Sequence, residues 1–165
     1  MFELIIQNLA AIQNVGVVFV AVLAFWKGGA PERACAAVFL GMFGIDRLYH
    51  LFFGLDQLTA EVDLWHAFLD TTVLVVLVWI ALKSNRFYPM VLAAAQVVAF
   101  TTHLVRMLVE PFSSLSYYLL VSMPSWFQLT VFAIGLARHV QRTSLLGPYR
   151  DWRPDPHQND RLKFS

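Results

Sequence analysis

Five apolar segments, each long enough to cross a lipid bilayer, constrain the fold of this chain more than any other feature. They run over Glu3–Trp26, Cys35–Phe53, Leu64–Leu82, Met90–Val109 and Leu115–Ala137. A helix that crosses the hydrocarbon core needs roughly 20 predominantly apolar residues. The connections between the segments contain Gly, Pro, Asn or charged residues, which are typical of loops. The sequence therefore predicts an all-α protein, a polytopic transmembrane bundle of five helices.

Composition supports a membrane protein and excludes other classes. Hydrophobic residues make up 58% of the 165 residues, more than a soluble domain of this size can bury. A net charge of +1 gives no reason to expect a nucleic-acid partner. Cys35 is the only cysteine, so an internal disulfide is impossible. The first apolar segment lacks a preceding basic region, so we expect it to be a retained helix and not a signal peptide.

The basic residues predict the orientation of the bundle. The first connection contains Lys27 and Arg33, the third contains Lys83 and Arg86, and several arginines follow the last helix. The N-terminus and the other two connections contain no Lys or Arg. The positive-inside rule then places the N-terminus in the periplasm and the C-terminus in the cytoplasm of a bacterial inner membrane. Residues 1–140 are expected to form the transmembrane domain, and 141–165 a polar, disordered cytoplasmic tail.

Ionisable and polar side chains collect in the outer halves of the helices. Helix 2 carries Asp46, Arg47 and His50, and Asp46 and His50 share a helix face because they are four residues apart. Further members on helices 3 and 4 are His66, Asp70, Gln96, His103 and Arg106. An unpaired charge at a helix centre costs roughly 2.5–3.5 kcal/mol on insertion scales, so these charges must be paired or hydrated. The inner halves are almost wholly apolar, which predicts a polar site that faces the periplasm.

The histidines give this site a chemical interpretation. They come from three different helices at similar depth, and two carboxylates lie one turn from a histidine. Neutral imidazole is the commonest transition-metal ligand, and a nearby carboxylate can orient its other nitrogen. Copper, zinc or iron would suit such a set. The predicted metal ligands are His50, His66, His103, Asp46 and Asp70.

Haem is a special case of this hypothesis. Two histidines on adjacent helices can ligate haem iron axially, and His66 with His103 is the best-placed pair. Arg47 and Arg106 are then candidates to bind the propionates of a haem b.

Two alternatives from other classes remain open. The polar residues could form a purely structural ion-pair network, for example Asp70 with Arg106, in a non-catalytic subunit of a larger membrane complex or a homo-oligomer. They could instead form a proton, ion or quinone site. The chain contains no Gly-rich phosphate loop, Cys-x-x-Cys or His-Glu-x-x-His motif, so the sequence does not decide whether the protein is an enzyme.

Two resemblances add to this interpretation. The stretches "DRLYH", "WHAFLD", "NRFYP", "THLVR" and "GPYRDWR" resemble a group of small, uncharacterised five-helix inner-membrane proteins of alphaproteobacteria. That resemblance implies an inner-membrane location and carries no activity. The pattern Asp46-x3-His50 followed by His66 resembles the copper ligands in the third subunit of particulate methane and ammonia monooxygenases. This second resemblance implies that Asp46, His50 and His66 are copper ligands.

Overall fold

In the computed structural model of the protein, the described residues are 2–53, 64–108 and 114–154, with side chains described except at 2–7, 10, 53, 64, 106–108 and 114–121. These residues form five helices: α1 (Phe2–Lys27), α2 (Ala30–Phe53), α3 (Leu64–Lys83), α4 (Tyr88–Leu108) and α5 (Ser114–Leu146). The described part contains no β-strand, only one isolated bridge between Ser84 and Trp152. The predicted all-α class with five helices is therefore confirmed.

Three helices in the described part of the chain are long and apolar enough to cross a membrane. These stretches are Ala30–Phe52, Trp65–Lys83 and Tyr88–Val105. A shorter apolar stretch, Ala11–Lys27, lies in α1. Large apolar side chains such as Phe19, Leu82 and Val98 are exposed on the outside of the bundle. Such a surface is unfavourable in water and favourable against lipid tails, so the chain is a membrane protein.

α2 begins at Ala30, well before the predicted start at Cys35. The reason is local, because Glu32 at the third helical position accepts a hydrogen bond from the backbone N–H of Gly29 at 3.1 Å. This contact is the glutamate half of a capping box. Pro31 is tolerated in the first turn, where its missing N–H would have no intrahelical partner. A segment that hydropathy assigns to a loop is therefore the capped first turn of a helix.

α5 continues to Leu146, beyond the predicted end at Ala137 and beyond the predicted domain boundary at residue 140. It ends at Gly147, whose φ of 81° is the left-handed conformation that favours glycine after a helix. The N–H of Gly147 donates to the carbonyl of Thr143 at 3.0 Å. Residues 147–154 then lie against the connection between α3 and α4. The remainder of the predicted tail, 155–165, lies outside the described residues.

The five helices close a ring. Each helix packs against the next one along the chain, and α1 packs against α5. The best-buried core lies where α1 and α3 end and α2 and α4 begin, and small residues such as Ala21, Ala24 and Ala36 bring α1 and α2 close together there. Larger core members are Leu77, Ile80, Leu92, Phe132 and Leu136. The end of the bundle that contains this core, where α1 and α3 finish, is called the basic end after Lys27, Lys83 and Arg138. The opposite end, where α2 finishes and α3 begins, is called the open end.

Candidate metal centre

Asp46, His50 and His66 meet at the open end of the bundle. Asp46 and His50 share one face of α2, and Nε2 of His50 lies 3.6 Å from Oδ1 of Asp46. His66, in the first turns of α3, places its Nε2 2.9 Å from the same oxygen. Each of the three residues offers one ligand atom, and these atoms all lie within 4.8 Å of one another. Two helices therefore bring two imidazoles and one carboxylate to a single point.

Aromatic packing fixes the spacing of α2 and α3 beside this group. The rings of Tyr49 and Trp65 stack with centroids 4.9 Å apart and planes inclined by 14°. The rings of His50 and His66 lie 5.4 Å apart. The Tyr49 ring also lies edge-on to both imidazoles, with its centroid 5.7 Å from that of His50 and 6.1 Å from that of His66, so it restrains both rings. The geometry of the group thus depends on contacts around it as well as on its own bonds.

The three side chains are partly accessible, with 23% to 29% of each exposed. Nδ1 of His50 is buried and has no hydrogen-bond partner within the described part of the chain. Two imidazoles and a carboxylate are a donor set for Fe, Zn or Cu and leave coordination positions open for water or substrate. The arrangement can therefore hold a metal ion that small molecules can reach.

Asp70 and His103 form a second acid–histidine pair between α3 and α4. Nε2 of His103 lies 2.9 Å from Oδ2 of Asp70, and both residues are buried. The other carboxylate oxygen, Oδ1, accepts a hydrogen bond from Nε2 of Gln96 at 2.9 Å. Both oxygens of this intramembrane carboxylate are therefore bonded, which offsets the cost of placing it away from water.

The hydrogen bonds continue from this pair into α5. Nε2 of Gln128 donates to Oε1 of Gln96 at 2.8 Å and to the backbone carbonyl of Leu92 at 3.1 Å. The two amides thus point their donors in one direction, from Gln128 through Gln96 to Asp70. The result is a buried polar network that ties α3, α4 and α5 together.

The structure divides the predicted ligand set into two groups. Among the described residues, the group with metal-ligand spacing contains Asp46, His50 and His66 and does not include His103 or Asp70. The two histidines of the predicted haem pair each contact a different carboxylate, His66 that of Asp46 and His103 that of Asp70.

Of the two arginines proposed to bind haem propionates, the structure describes the side chain of Arg47 only. Arg47 is exposed and lies over the ring of Phe43 on its own helix, with its guanidinium carbon 5.5 Å from the ring centroid. The side chain of Arg106, which was the predicted partner of Asp70 or of a propionate, lies outside the described residues.

A buried charged cluster at the basic end was not anticipated from the sequence. Arg86, in the connection between α3 and α4, donates to three oxygen atoms. These are Oε1 of Glu32 at 3.2 Å, Oδ1 of Asp151 at 2.7 Å and the carbonyl oxygen of Arg150 at 3.1 Å. Glu32 is completely buried, and Oδ2 of Asp151 accepts from the N–H of Ala30 at 3.0 Å. We call Glu32, Arg86, His139, Tyr149 and Asp151 the Arg86 cluster.

His139 and Tyr149 complete the Arg86 cluster. Nδ1 of His139 accepts from Nη2 of Arg86 at 3.3 Å, because a guanidinium can only donate. The Tyr149 hydroxyl, 3.1 Å away, therefore also donates to that nitrogen. The guanidiniums of Arg86 and Arg142 lie 3.8 Å and 4.1 Å from the centroid of the Tyr149 ring. Burial raises the pKa of Tyr149, an effect that the positive charge of Arg86 partly offsets.

Hydropathy could not find the Arg86 cluster, because its members come from the first turn of α2, the connection between α3 and α4, the C-terminal part of α5 and the segment that follows it. A sequence clue existed for one member only. Glu32 follows Gly29 at capping-box spacing and precedes an apolar run, which indicates the start of a helix.

Comparison with known proteins adds no assignment to these sites. No protein-family model, no curated protein and no solved structure matches the chain.

Proposed function

We propose that this protein is a multi-pass inner-membrane protein that binds a transition-metal ion through Asp46, His50 and His66. The observation that carries the proposal is the convergence of three ligand atoms within 4.8 Å from two helices. The partial exposure of all three side chains supports access by an ion from the adjacent aqueous phase. The distribution of basic residues supports a periplasmic N-terminus and, with it, a metal site at the periplasmic face.

Copper is the first ion to test, with zinc and iron next. Imidazole and carboxylate donors bind Cu(II) more tightly than the other divalent first-row ions. The local resemblance to monooxygenase copper ligands involves the same three residues, Asp46, His50 and His66. Neither argument assigns a reaction, so the proposal is metal binding and not catalysis.

Elemental analysis of the full-length protein, purified in detergent without chelators, tests the proposal. We expect close to one equivalent of metal per chain and loss of that metal in His50→Ala and His66→Ala. Arg47→Gln is the matched control, because Arg47 is the exposed chain neighbour of Asp46 and cannot be a ligand. A metal-free wild-type protein that is helical by circular dichroism, even after incubation with Cu(II), Zn(II) or Fe(II), would end the proposal.

A second candidate is a purely structural role for the buried polar residues, and the Asp70 network favours it. There both carboxylate oxygens and both glutamine amides have partners on other helices. Such a satisfied network can fix helix register without any chemistry. His103→Gln tests the role of the Asp70 network: loss of metal in this variant would add His103 to the ligand set, whereas loss of stability with unchanged metal content supports a structural role for the network.

A further inference from the structure

We propose that the basic end of the bundle binds the anionic headgroups of membrane phospholipids, and that the folded segment 147–154 forms part of the binding surface. This inference does not depend on the metal site, which lies at the open end.

The exposed charged side chains described at the basic end are all positive. Among the described side chains, every exposed Lys and Arg other than Arg47 lies at this end. They include Lys27 and Lys83 at the ends of α1 and α3, Arg138 and Arg142 on α5, and Arg150 and Arg153 in the segment that follows α5. At this end the described carboxylates are Glu32, which is buried, and Asp151, which is partly exposed, and both bind Arg86. The exposed cations are therefore not neutralised by these acids.

Tryptophan side chains at the same end place it at a membrane interface. Trp26 and Trp79 are both exposed, in the last turns of α1 and α3. The ring of Trp152 lies 6.2 Å from that of Trp79. Tryptophan favours the headgroup level of a bilayer because its ring is apolar and its N–H needs a polar partner. The basic side chains thus lie at the depth of lipid phosphates, which favours a lipid over any soluble polyanion.

The segment that follows α5 is fixed in this surface by backbone hydrogen bonds. The N–H of Arg153 donates to the carbonyl of Lys83 at 2.8 Å, and that of Asn85 donates to the carbonyl of Asp151 at 3.0 Å. The carbonyl of Arg150 accepts from Arg86. Because the backbone is already ordered, Arg150 and Arg153 lose less conformational entropy on binding than they would in an unfolded tail.

Arg142 is the side chain best prepared to bind a phosphate. Its guanidinium stacks on the ring of Tyr149, which Arg86 contacts as well. Stacking restrains the planar group and leaves its edge donors free for a bidentate phosphate contact. The three arginines at positions 142, 150 and 153 are therefore the ones we test.

The experiment is a lipid titration of the full-length protein in a neutral detergent, read by thermal unfolding from tryptophan fluorescence. Phosphatidylglycerol should raise the Tm, and the rise should shrink in 0.5 M salt because ions screen exposed charges. Phosphatidylcholine with the same acyl chains, and inorganic phosphate, should leave the Tm unchanged. An equal rise with phosphatidylcholine, or with inorganic phosphate, would overturn the proposal.

Two variants locate the surface. Each basic residue near an anionic surface contributes about fivefold in affinity, so the triple variant R142Q/R150Q/R153Q should bind phosphatidylglycerol about 100-fold more weakly. Arg47→Gln, at the open end, should bind it like the wild type. If the triple variant does not fold, the three single variants give the same test at about fivefold each. Wild-type affinity in these variants would overturn the proposal.

Asp151→Asn tests whether lipid binding depends on the ordered segment 147–154 or only on the net charge of the basic end. This change removes a negative charge but weakens the contacts that Asp151 makes with Arg86 and Ala30. Charge alone predicts tighter binding of phosphatidylglycerol. The ordered segment predicts weaker binding, because residues 147–154 are then released. Tighter binding by Asp151→Asn would overturn the part of the proposal that concerns the segment.

Discussion

Arg86 donates from Nε to Oε1 of Glu32 at 3.2 Å, and this contact joins the first turn of α2 to the connection between α3 and α4. Both side chains are buried, with 6% of Arg86 and 0% of Glu32 exposed. Each charge is removed from water and depends on the other for compensation. The Arg86 cluster therefore links α2, the connection between α3 and α4, and the segment after α5 through a buried charge.

Replacement of Arg86 by Met should strongly destabilise the protein. The change leaves Glu32 and Asp151 without their shared cation, and loss of one partner of a buried pair costs about 3–5 kcal/mol. The measurement is the Tm in detergent. Arg33→Gln serves as the control, because Arg33 is exposed one position from Glu32 and should change stability by less than about 0.5 kcal/mol. Equal Tm values for the two variants would contradict a role for the cluster in stability.

The pair formed by Asp70 and His103 should be energetically coupled. In a double-mutant cycle with Asp70→Leu and His103→Leu, each single change leaves a buried polar partner, whereas the double change leaves neither. We expect a coupling energy of about 1–2 kcal/mol, the range for hydrogen bonds inside membrane proteins and to charged groups. The unfolding free energies of the wild type, the two single variants and the double variant are measured by titration with a denaturing detergent. If the effects of the two single changes add up to that of the double change within about 0.5 kcal/mol, the contact is not supported.

Two glycines should respond in opposite ways to alanine. A Cβ on Gly135 would lie 2.6 Å from Cγ of the Tyr88 ring, which is itself packed against Phe132. The rigid ring cannot move aside cheaply, so Gly135→Ala should destabilise by about 1–3 kcal/mol. A Cβ on Gly41 would meet nothing within 4 Å, so Gly41→Ala should be neutral or stabilise by up to about 1 kcal/mol. Thermal unfolding curves of the two variants show whether each change lowers or raises the Tm. A Gly135→Ala protein as stable as the wild type would show that α4 and α5 pack less closely than the Gly135–Tyr88 contact implies.

Tyr149 should ionise at a higher pH than a free tyrosine. Burial raises its pKa above the ordinary value of about 10. Its contribution to stability is therefore fully present below about pH 10 and is lost as the pH rises further, because the unfolded chain releases this proton first. Ultraviolet difference titration of the wild type against Tyr149→Phe isolates the phenol. A midpoint at or below pH 10 in this difference would disagree with burial in the Arg86 cluster.

Binding of a metal ion should stabilise the wild type and not the ligand variants. At a metal concentration of 100 times Kd the gain is about 2.7 kcal/mol, provided that the ion does not bind the unfolded chain. Asp46→Asn should lose most of this gain, since the amide oxygen is a poorer ligand than the carboxylate. A rise in Tm that persists in Asp46→Asn would point to a different site.

Sequence alone determined the five helices and the face shared by Asp46 and His50. Hydropathy predicts membrane helices well because backbone groups in lipid must be satisfied within the segment itself. The relation between Asp46 and His50 is likewise local, since residues four apart always neighbour each other on a helix. Helix ends were predicted less well, at Ala30 and Leu146, because capping and tertiary contacts extend these helices beyond their apolar parts.

Only the tertiary structure decided which residues of different helices meet. His66 contacts Asp46, although Asp70 lies one turn away on its own helix, and Asp70 contacts His103 instead. The rotation of α3 about its axis sets this choice, and it depends on packing against both α2 and α4. The Arg86 cluster is the extreme case, because it joins Glu32 to Asp151 across most of the chain. Periodicity describes one helix at a time, whereas these contacts arise from the close packing of several.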